Sequence, residues 1–251
     1  MKIARNNLYI VSTPIGNLDD ITFRAIEVLK KSDFILCEDT RHSLKLLNHF
    51  KIKKKLISYH KFNEKKKISS IIEQLNMGKI LSLVSDAGTP LISDPGRLLI
   101  NECLKNDIQI TPIPGVSSII AATSVSGFSD QFLFYGFLPK KEKELERSLN
   151  SLSSCKYAIV AFIPSNRINY YLDKIKKYFS GRKLMIAREI TKIHESFYRY
   201  EVKELKLFKN PLKGELTLVI SEKKYTEKSF DKDEITKKIK KYLKKYSLKD
   251  T

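Results

Sequence analysis

The sequence predicts an α/β protein with two α/β domains and a basic C-terminal helix. Over residues 8–221, short apolar stretches alternate with longer segments whose apolar residues recur at helical spacing. A Pro-Ile-Pro-Gly sequence at residues 112–115 interrupts this alternation, and the composition becomes lysine-rich from residue 223 onward. We therefore expect an N-terminal domain over residues 1–115, a second domain over residues 116–224, and a basic helix or tail over residues 225–251.

The first half alternates strand-sized apolar stretches with amphipathic segments. In residues 19–31, apolar residues recur every three or four positions behind Asp19 or Asp20, one of which we expect to cap the helix. Such alternation predicts a largely parallel sheet that is covered by helices on both faces. The predicted strands are 8–12, 34–38, 55–60, 80–85 and 108–112, and the predicted helices are 19–31, 41–50, 68–77 and 98–105.

The second half alternates in the same way until its last two strands, which have no helix between them. Residues 195–200 and 215–221 alternate or run apolar over strand-like lengths, which favours antiparallel pairing. A helix of small residues over 117–126 precedes this part. The other predicted elements are strands 132–138, 157–163 and 184–188 and helices 142–152 and 167–179.

The chain is strongly basic, with 38 Lys and 9 Arg against 28 acidic residues and a net charge of +19. This charge favours a polyanionic partner such as a nucleic acid. Abundant lysine is also typical of AT-rich genomes, and a surface making bidentate contacts to bases would favour arginine. Residues 223–251 hold 11 Lys and five acids, with apolar residues at helical spacing. They form either a helix docked on the body or an RNA-contacting tail.

Several classes of protein are disfavoured. No apolar stretch approaches the roughly 18 residues of a membrane span, and the N-terminus lacks the apolar stretch of a secretory signal, so we expect a cytoplasmic protein without a membrane partner. Three scattered cysteines and four histidines disfavour disulfides and a metal site, and we expect no metal. The dinucleotide-binding, P-loop and Gly-x-Ser-x-Gly motifs are absent from the sequence.

Polar loops follow three of the predicted parallel strands, at residues 13–20, 37–42 and 85–96. Ligands of open parallel sheets bind beyond the carboxyl ends of the strands, so these loops predict a small-molecule site. Each loop also has a structural interpretation; Asp94 and Pro95, for example, are typical of a helix cap and first helical residue. The twelve-residue length of the third loop nevertheless favours function.

The turn at residues 188–195 holds five ionisable side chains within eight residues. A solvated turn would explain this composition. If the turn faces the first domain, it could instead bind a polar substrate or position a base.

Five motifs resemble those of the ribosomal RNA small subunit methyltransferase I family, which belongs to the tetrapyrrole methylase superfamily. The resemblance covers about residues 7–222, with the motifs in the same order. The Asp-Ala-Gly-Thr-Pro sequence is the most specific part, since porphyrin-directed relatives carry a Gly-Asp-Pro type of loop there. The motifs are residues 13–18 (TPIGNL), 38–41 (EDTR), 85–96 (SDAGTPLISDPG), 114–118 (PGVSS) and 188–195 (REITKIHE).

The resemblance implies two α/β domains of the tetrapyrrole methylase type with a ligand cleft between them. It implies S-adenosylmethionine as methyl donor, 2′-O-methylation of a cytidine in the decoding centre of 16S ribosomal RNA in the small ribosomal subunit, and a homodimer. The positions implied to bind the donor are Pro14, Gly16, Asp86, Ala87, Gly88, Thr89, Ser117, Ser118 and Gly214. In the same motifs, we expect Asn17, Arg41, Arg188 and Lys192 to bind the substrate.

Methyl transfer from a sulfonium to oxygen needs neither a metal nor a covalent intermediate, so alignment of the reacting atoms supplies most of the acceleration. A ribose hydroxyl is a poor nucleophile, and a base or polarising group should lie beside it. Methylation of RNA is the leading hypothesis, and the third loop favours it. The alternatives are methylation of a tetrapyrrole or other small molecule and non-catalytic RNA binding by a relative that kept the fold. The candidate bases are Glu38, Asp39, Glu189 and His194.

Overall fold

The computed structural model describes residues 3–210, 212–223 and 232–243. The first half forms a five-stranded sheet in the order β3-β2-β4-β1-β5, and every neighbouring pair in it is parallel. The strands are β1 (Asn7–Val11), β2 (Phe34–Cys37), β3 (Lys55–Ser58), β4 (Ile80–Leu83) and β5 (Gln109–Ile113), and the helices between them are α1 (Phe23–Lys31), α2 (Thr40–His49), α3 (Glu64–Asn76) and α4 (Arg97–Lys105). The predicted parallel sheet is therefore confirmed.

Both faces of this sheet are buried, because the side chains of each strand alternate between two apolar layers. Leu8 and Ile10 of β1 pack into one layer with buried residues of α3 and α4. Tyr9 and Val11 pack into the other layer with buried residues of α1 and α2. Helices therefore cover the sheet on both sides, as the alternation of strands and helices predicts.

Helix α1 begins four residues later than predicted. The Oγ1 atom of Thr22 accepts a hydrogen bond from the backbone N–H of Ala25 at 3.1 Å and caps the helix. Asp19 and Asp20 lie instead in a short 3-10 helix, Leu18–Asp20. The expectation that one of these aspartates caps α1 was wrong, since the 3-10 turn separates them from its first residue.

The Thr22→Ala variant is expected to lower the free energy of unfolding by about 1 kcal/mol, the usual contribution of a side-chain N-cap. Urea denaturation followed by circular dichroism measures the change. Asp19→Ala is the matched control, because Asp19 is exposed and does not cap α1. Equal losses in the two variants would show that the Thr22 hydroxyl does not stabilise the helix.

The second half forms another five-stranded sheet, in the order β6-β7-β10-β8-β9. Strands β6 and β7 are parallel, and every other neighbouring pair is antiparallel. The expectation that the last two strands pair with each other was wrong, because β8 lies between them and each of them pairs antiparallel with β8. The strands are β6 (Phe132–Phe137), β7 (Ala158–Pro164), β8 (Lys183–Arg188), β9 (Ser196–Glu201) and β10 (Glu215–Ile220).

The two faces of the second sheet contact different parts of the chain. On one face, α6 (Glu142–Ser153) and α7 (Ile168–Phe179) bury their apolar residues. On the other face lies the short helix α5 (Ser118–Ser124), together with Ile15 from the loop after β1. A loop of the first sheet thus packs against the second sheet. The predicted domain boundary near residue 115 stays a prediction.

The predicted basic C-terminal helix is present as α8 (Lys232–Leu243), where Ile239 and Tyr242 are about half exposed. The rest of the predicted segment, including Tyr246, lies outside the described residues. Among the helices in the described ranges, none is long and apolar enough to cross a membrane.

Candidate active site

A cavity of about 540 Å³ lies where the carboxyl ends of the strands in the first sheet face the second sheet. This is the edge at which open parallel sheets bind ligands. Its lining from the first half includes the end of β2, the loop after β4 and the start of α5. The cavity is lined by Ile15, Glu38, Asp86, Ala87, Gly88, Thr89, Ile92, Ser93, Asp94, Ser117, Ser118, Ile119, Phe137, Phe162, Ile163, Pro164, Ser165, Asn166, Ile190, Gly214, Glu215, Leu216 and Thr217.

Hydrogen bonds tie three of the lining loops together. Thr13 and Gly88 exchange two backbone hydrogen bonds of 2.9 and 3.0 Å, which join the loops after β1 and β4. The hydroxyls of Ser12 and Thr89 lie 2.9 Å apart, and the Thr89 hydroxyl also donates to the Val116 carbonyl at 3.4 Å. The loops are therefore held in fixed positions around the cavity.

The long loop after β4 continues to Gly96, and α4 begins only at Arg97. The alternative interpretation of Asp94 and Pro95 as helix cap and first helical residue was wrong, and Asp94 lines the cavity instead. Within the loop, Leu91 and Ser93 have φ values of 73° and 71°. Non-glycine residues in this region carry strain of about 1–3 kcal/mol, which is commonly found at functional sites.

Four acidic residues line the cavity, and three of them, Glu38, Asp86 and Asp94, come from the first half of the chain; the fourth is Glu215. Burial, with a contribution from Glu38, raises the pKa of Asp94 to about 6. Burial and the charge of Asp86 also raise the pKa of Glu38. The site therefore disfavours unpaired negative charge and would be stabilised by a cationic ligand.

The raised pKa of Asp94 predicts a pH-dependent gain in stability for Asp94→Asn. Because the folded chain holds this proton more tightly than the unfolded chain, Asp94 contributes stability at low pH that is lost as the pH rises through about 6. The asparagine side chain of the variant is neutral at every pH, so it does not lose this contribution. At pH 7.5 its Tm is expected to exceed that of the wild type by about 2–4 °C, whereas at pH 4 the two proteins should melt together. An equal difference at both pH values in a thermal melt would contradict this assignment.

Most of the predicted donor-binding residues come together in the cavity. Pro14 is buried outside the lining, and its neighbour Ile15 contributes to the wall. Gly16 lies instead in a second cleft, together with residues 17–19 and 191–194. Those that line the cavity are Asp86, Ala87, Gly88, Thr89, Ser117, Ser118 and Gly214.

The second cleft, of about 790 Å³, lies between the loop after β1 and the turn at residues 188–195. The backbone N–H of Asn17 donates to the Thr191 hydroxyl at 3.1 Å across it. The Nζ atom of Lys192 lies 3.0 Å from Glu189 and 3.1 Å from Glu215. This turn therefore faces the first half of the chain. His194 and Gly16 both line the cleft.

Two of the candidate bases are held by other groups. Glu189 accepts hydrogen bonds from the Glu215 backbone N–H at 2.7 Å and from Lys192, which lower its pKa although burial acts to raise it. Asp39 caps α2, and its hydrogen bonds from Arg41 lower its pKa to about 2. These contacts favour structural roles for both carboxylates.

Of the four candidate bases, Glu38 is the one that lines the cavity, and His194 is exposed in the second cleft. Among the predicted substrate-binding residues, Arg41 is exposed and paired with Asp39. Arg188 donates to the carbonyls of Lys213 at 2.8 Å and His194 at 3.4 Å, which holds the ends of the 188–195 turn together. The predicted substrate residues are thus spread over the cleft and its surroundings.

Sequence reasoning missed the part of the wall that comes from β6 and β7. Phe137 ends β6, and residues 162–166 include the end of β7 and the turn after it. A polar Ser-Asn pair directly follows the apolar strand there. The rule that ligands bind beyond the carboxyl ends of strands would have found this segment, had it been applied to the second half as well.

The family model of the Tetrapyrrole (Corrin/Porphyrin) Methylases matches residues 7–206. The chain belongs to this family. A relative from Thermotoga maritima named ribosomal RNA small subunit methyltransferase I is 46% identical over 86% of this chain and 98% of its own length. Relatives of the same name from Mesomycoplasma conjunctivae and Rickettsia prowazekii are 43% and 44% identical, and they cover 88% and 87% of this chain and 94% and 79% of their own. This tetrapyrrole methylase is therefore a member of the ribosomal RNA small subunit methyltransferase I group.

Solved structures of the same fold are more distant in sequence. Uroporphyrin-III-C-methyltransferase from Thermus thermophilus matches with a TM-score of 0.59 at 17% identity, over 86% of this chain and 94% of that chain. Diphthine synthase matches with a TM-score of 0.66 at 14% identity, over 86% and 90%. These likenesses confirm the predicted two-domain α/β fold of the tetrapyrrole methylase type.

The enzyme is an S-adenosylmethionine-dependent methyltransferase, as the family assignment shows. The cavity fits this donor in size, since pockets for small molecules span about 300–1,000 Å³. It also fits in charge, because the half-buried carboxylates complement the cationic sulfonium and ammonium groups of the donor.

Proposed function

We propose that this methyltransferase modifies the ribose 2′-oxygen of a cytidine in the decoding centre of 16S ribosomal RNA, in the small ribosomal subunit of the cytoplasm. The observation that carries the proposal is the 43–46% identity, over 86–88% of the chain, to three proteins named ribosomal RNA small subunit methyltransferase I. The net charge of +19 supports an RNA substrate. The resemblance also supports a homodimer, with the two α/β domains divided near residue 115.

The loop after β4 and the start of α5 bind the donor in this proposal. Asp86 offers a carboxylate to the cationic groups of the donor. Gly88 has no side chain and lies in the left-handed region at φ 79°, so the donor can approach its backbone closely. Ser117 is the N-cap residue of α5, but its side chain makes no capping hydrogen bond, so its hydroxyl is available to a ligand. The bound donor supplies a methyl group already activated on sulfur, and the residues have only to align it with the acceptor.

Glu38 is the proposed base. It lies in the same cavity as Asp86, and its raised pKa suits a group that accepts a proton. The Glu38 carboxylate would accept the proton of the 2′-hydroxyl while the methyl–oxygen bond forms and the methyl–sulfur bond breaks, which would leave the neutral thioether S-adenosylhomocysteine. Asp39 and Glu189 are engaged elsewhere, and His194 lies in the second cleft.

The second cleft and its surroundings are the proposed contact surface for the RNA. Asn17 and Lys192 line the cleft, and Arg41 is exposed near the end of β2. A lysine suffices for phosphate contacts, because these need charge rather than bidentate geometry. Arg188 supports this surface by holding the 188–195 turn.

Transfer of a labelled methyl group to isolated ribosomal particles tests the choice of acceptor. Small subunits that lack their native methylations, large subunits and a porphyrinogen are offered in parallel, with labelled S-adenosylmethionine as donor. The proposal expects label in the RNA of the small subunit and in neither control. Label in the porphyrinogen alone would assign the enzyme to small molecules, and donor binding without any transfer would make it a binding protein.

A further inference from the structure

An exposed aromatic and basic segment lies beside the cavity, at residues 60–67 (HKFNEKKK), and neither the donor site nor the second cleft includes it. Phe62 is 90% exposed, and Lys61, Lys65 and Lys66 are exposed as well. The segment follows β3 and continues into the first turn of α3.

The position of this segment next to the cavity follows from strand pairing. Ser58 at the end of β3 pairs with Cys37 at the end of β2, and the Tyr59 backbone N–H donates to the Cys37 carbonyl at 2.7 Å. Glu38, the next residue after Cys37, lines the cavity. His60 also lies close enough to Glu38 to act against the rise in the pKa of that carboxyl group. The segment therefore starts at the same edge of the sheet as the cavity, on the side of the proposed base.

Asn63 fixes the shape of the segment. It precedes α3 but does not cap the helix with its side chain. Its Oδ1 atom instead accepts from the His60 backbone N–H at 2.9 Å, and its Nδ2 atom donates to the Ser58 carbonyl at 3.2 Å. Lys67 donates to the same carbonyl at 2.8 Å. The side chain that would usually cap α3 thus holds the loop in place.

The exposed side chains of this segment make few contacts with the residues that the structure describes. Within the described ranges, the aromatic neighbour of Phe62 is His60, with ring centroids 6.0 Å apart. Lys61, Lys65 and Lys66 form no salt bridge with any residue that the structure describes. An exposed aromatic ring among unpaired lysines is typical of surfaces that bind single-stranded nucleic acid, where bases stack and phosphates pair with cations.

We propose that this segment binds the RNA strand next to the target nucleotide, with Phe62 stacked on a neighbouring base and Lys61, Lys65 and Lys66 on phosphates. The inference rests on RNA as the substrate of the proposed function, and it adds the surface that holds the strand while the target nucleotide leaves its stack. Single-stranded or looped RNA is the expected ligand, because a paired strand would not offer the face of a base to Phe62.

The stacking contact is tested by the binding of a fluorescein-labelled, 12-nucleotide single-stranded RNA, followed by fluorescence anisotropy. Phe62→Ala is expected to bind about tenfold more weakly than the wild type, which is typical of losing one base–aromatic stack. Phe62→Trp should restore binding, whereas Phe62→Leu should not. Tyr157→Ala is the matched control, because Tyr157 is 48% exposed just before β7, at the end away from the cavity. Calorimetric binding of S-adenosylmethionine should stay unchanged and confirm that each variant is folded.

The phosphate contacts are tested by the salt dependence of the same binding. The double variant Lys65→Ala/Lys66→Ala is expected to reduce the slope of log K against log salt by about 1.4, which is about 0.7 for each lost phosphate contact on a single strand. Lys30→Ala/Lys31→Ala is the control, since these exposed lysines end α1 at the opposite edge of the sheet. Phe62→Ala should leave the slope unchanged.

The proposal is overturned if the wild type does not bind the RNA, if Phe62→Ala and Phe62→Leu bind as the wild type does, or if both lysine pairs change the slope equally. The binding assay needs no methyl transfer. Loss of binding in Phe62→Ala alongside an inactive wild type would support the RNA surface and contradict the proposed methylation of the small subunit. An active wild type whose KM for small subunits is unchanged in Phe62→Ala would contradict the RNA surface alone.

Discussion

Glu38→Gln is expected to lower kcat for methyl transfer by a factor of about 10²–10⁴, the range that a positioned general base contributes. The substitution keeps the size of the side chain and removes its ability to take the proton of the 2′-hydroxyl. Since Glu38 is proposed to act on the acceptor, the Kd for S-adenosylmethionine should stay close to that of the wild type. Single-turnover transfer to small subunits measures the rate without a contribution from product release.

The pH dependence of the same reaction separates a base from a residue that only shapes the site. Glu38 must be ionised to accept a proton, so kcat of the wild type should rise as the pH increases through its raised pKa. The Gln variant should lack this rise. Asp39→Asn is the matched control, because Asp39 neighbours Glu38 but is bound to Arg41 outside the cavity. A wild-type rate and pH profile in Glu38→Gln would remove Glu38 as the base.

Asp86→Asn is expected to weaken binding of S-adenosylmethionine about ten- to a hundredfold, because a hydrogen bond to a charged group contributes about 1.5–3 kcal/mol. Asparagine keeps an oxygen that can accept the 3.2 Å hydrogen bond from the Asp39 backbone N–H, so the loop should keep its shape. Isothermal titration calorimetry measures the affinity. The exposed Asp173→Asn on α7 serves as control for the loss of one negative charge.

A second titration with S-adenosylhomocysteine, which lacks the charge on sulfur, shows which cationic group Asp86 serves. If Asp86 binds the ammonium group, the variant should lose affinity for both ligands equally. If it acts on the sulfonium, only binding of S-adenosylmethionine should weaken. Unchanged affinity for both ligands would show that Asp86 does not contact the donor.

The parallel sheet was predictable because both of its faces are buried, so β1, β2 and β4 appear in the sequence as largely apolar stretches. The start of α1 was not predictable in this way, because two aspartates precede Thr22 and any of these three residues could cap a helix. The start of α4 was predicted to within one residue, at 98 against the observed Arg97, but the sequence just before it also fits a helix cap. Asp94 and Pro95 have the sequence of a helix start, but the strained loop continues to Gly96 and places Asp94 in the cavity.

The candidate site was predictable where sequence motifs follow the strands of the first sheet, as at residues 86–89. The part of the site that comes from the second half of the chain depends on contacts between residues that lie far apart in the sequence. Glu189 is an example, because its sequence neighbours suggest a base, while its hydrogen bond from the Glu215 backbone N–H depends on how β8 and β10 pair. The exposure of Phe62 likewise depends on how Asn63 folds the loop around it.

The most direct test of the proposed reaction is to locate the transferred methyl group. Small subunits lacking their native methylations are treated with the enzyme and S-adenosylmethionine, and nuclease fragments of the 16S RNA are analysed by mass spectrometry. We expect one additional methyl group, on the ribose of a single cytidine in the decoding centre, with the phosphodiester on its 3′ side resistant to alkali. A methyl group on a base, on another region of the RNA or on a ribosomal protein would contradict the proposed function.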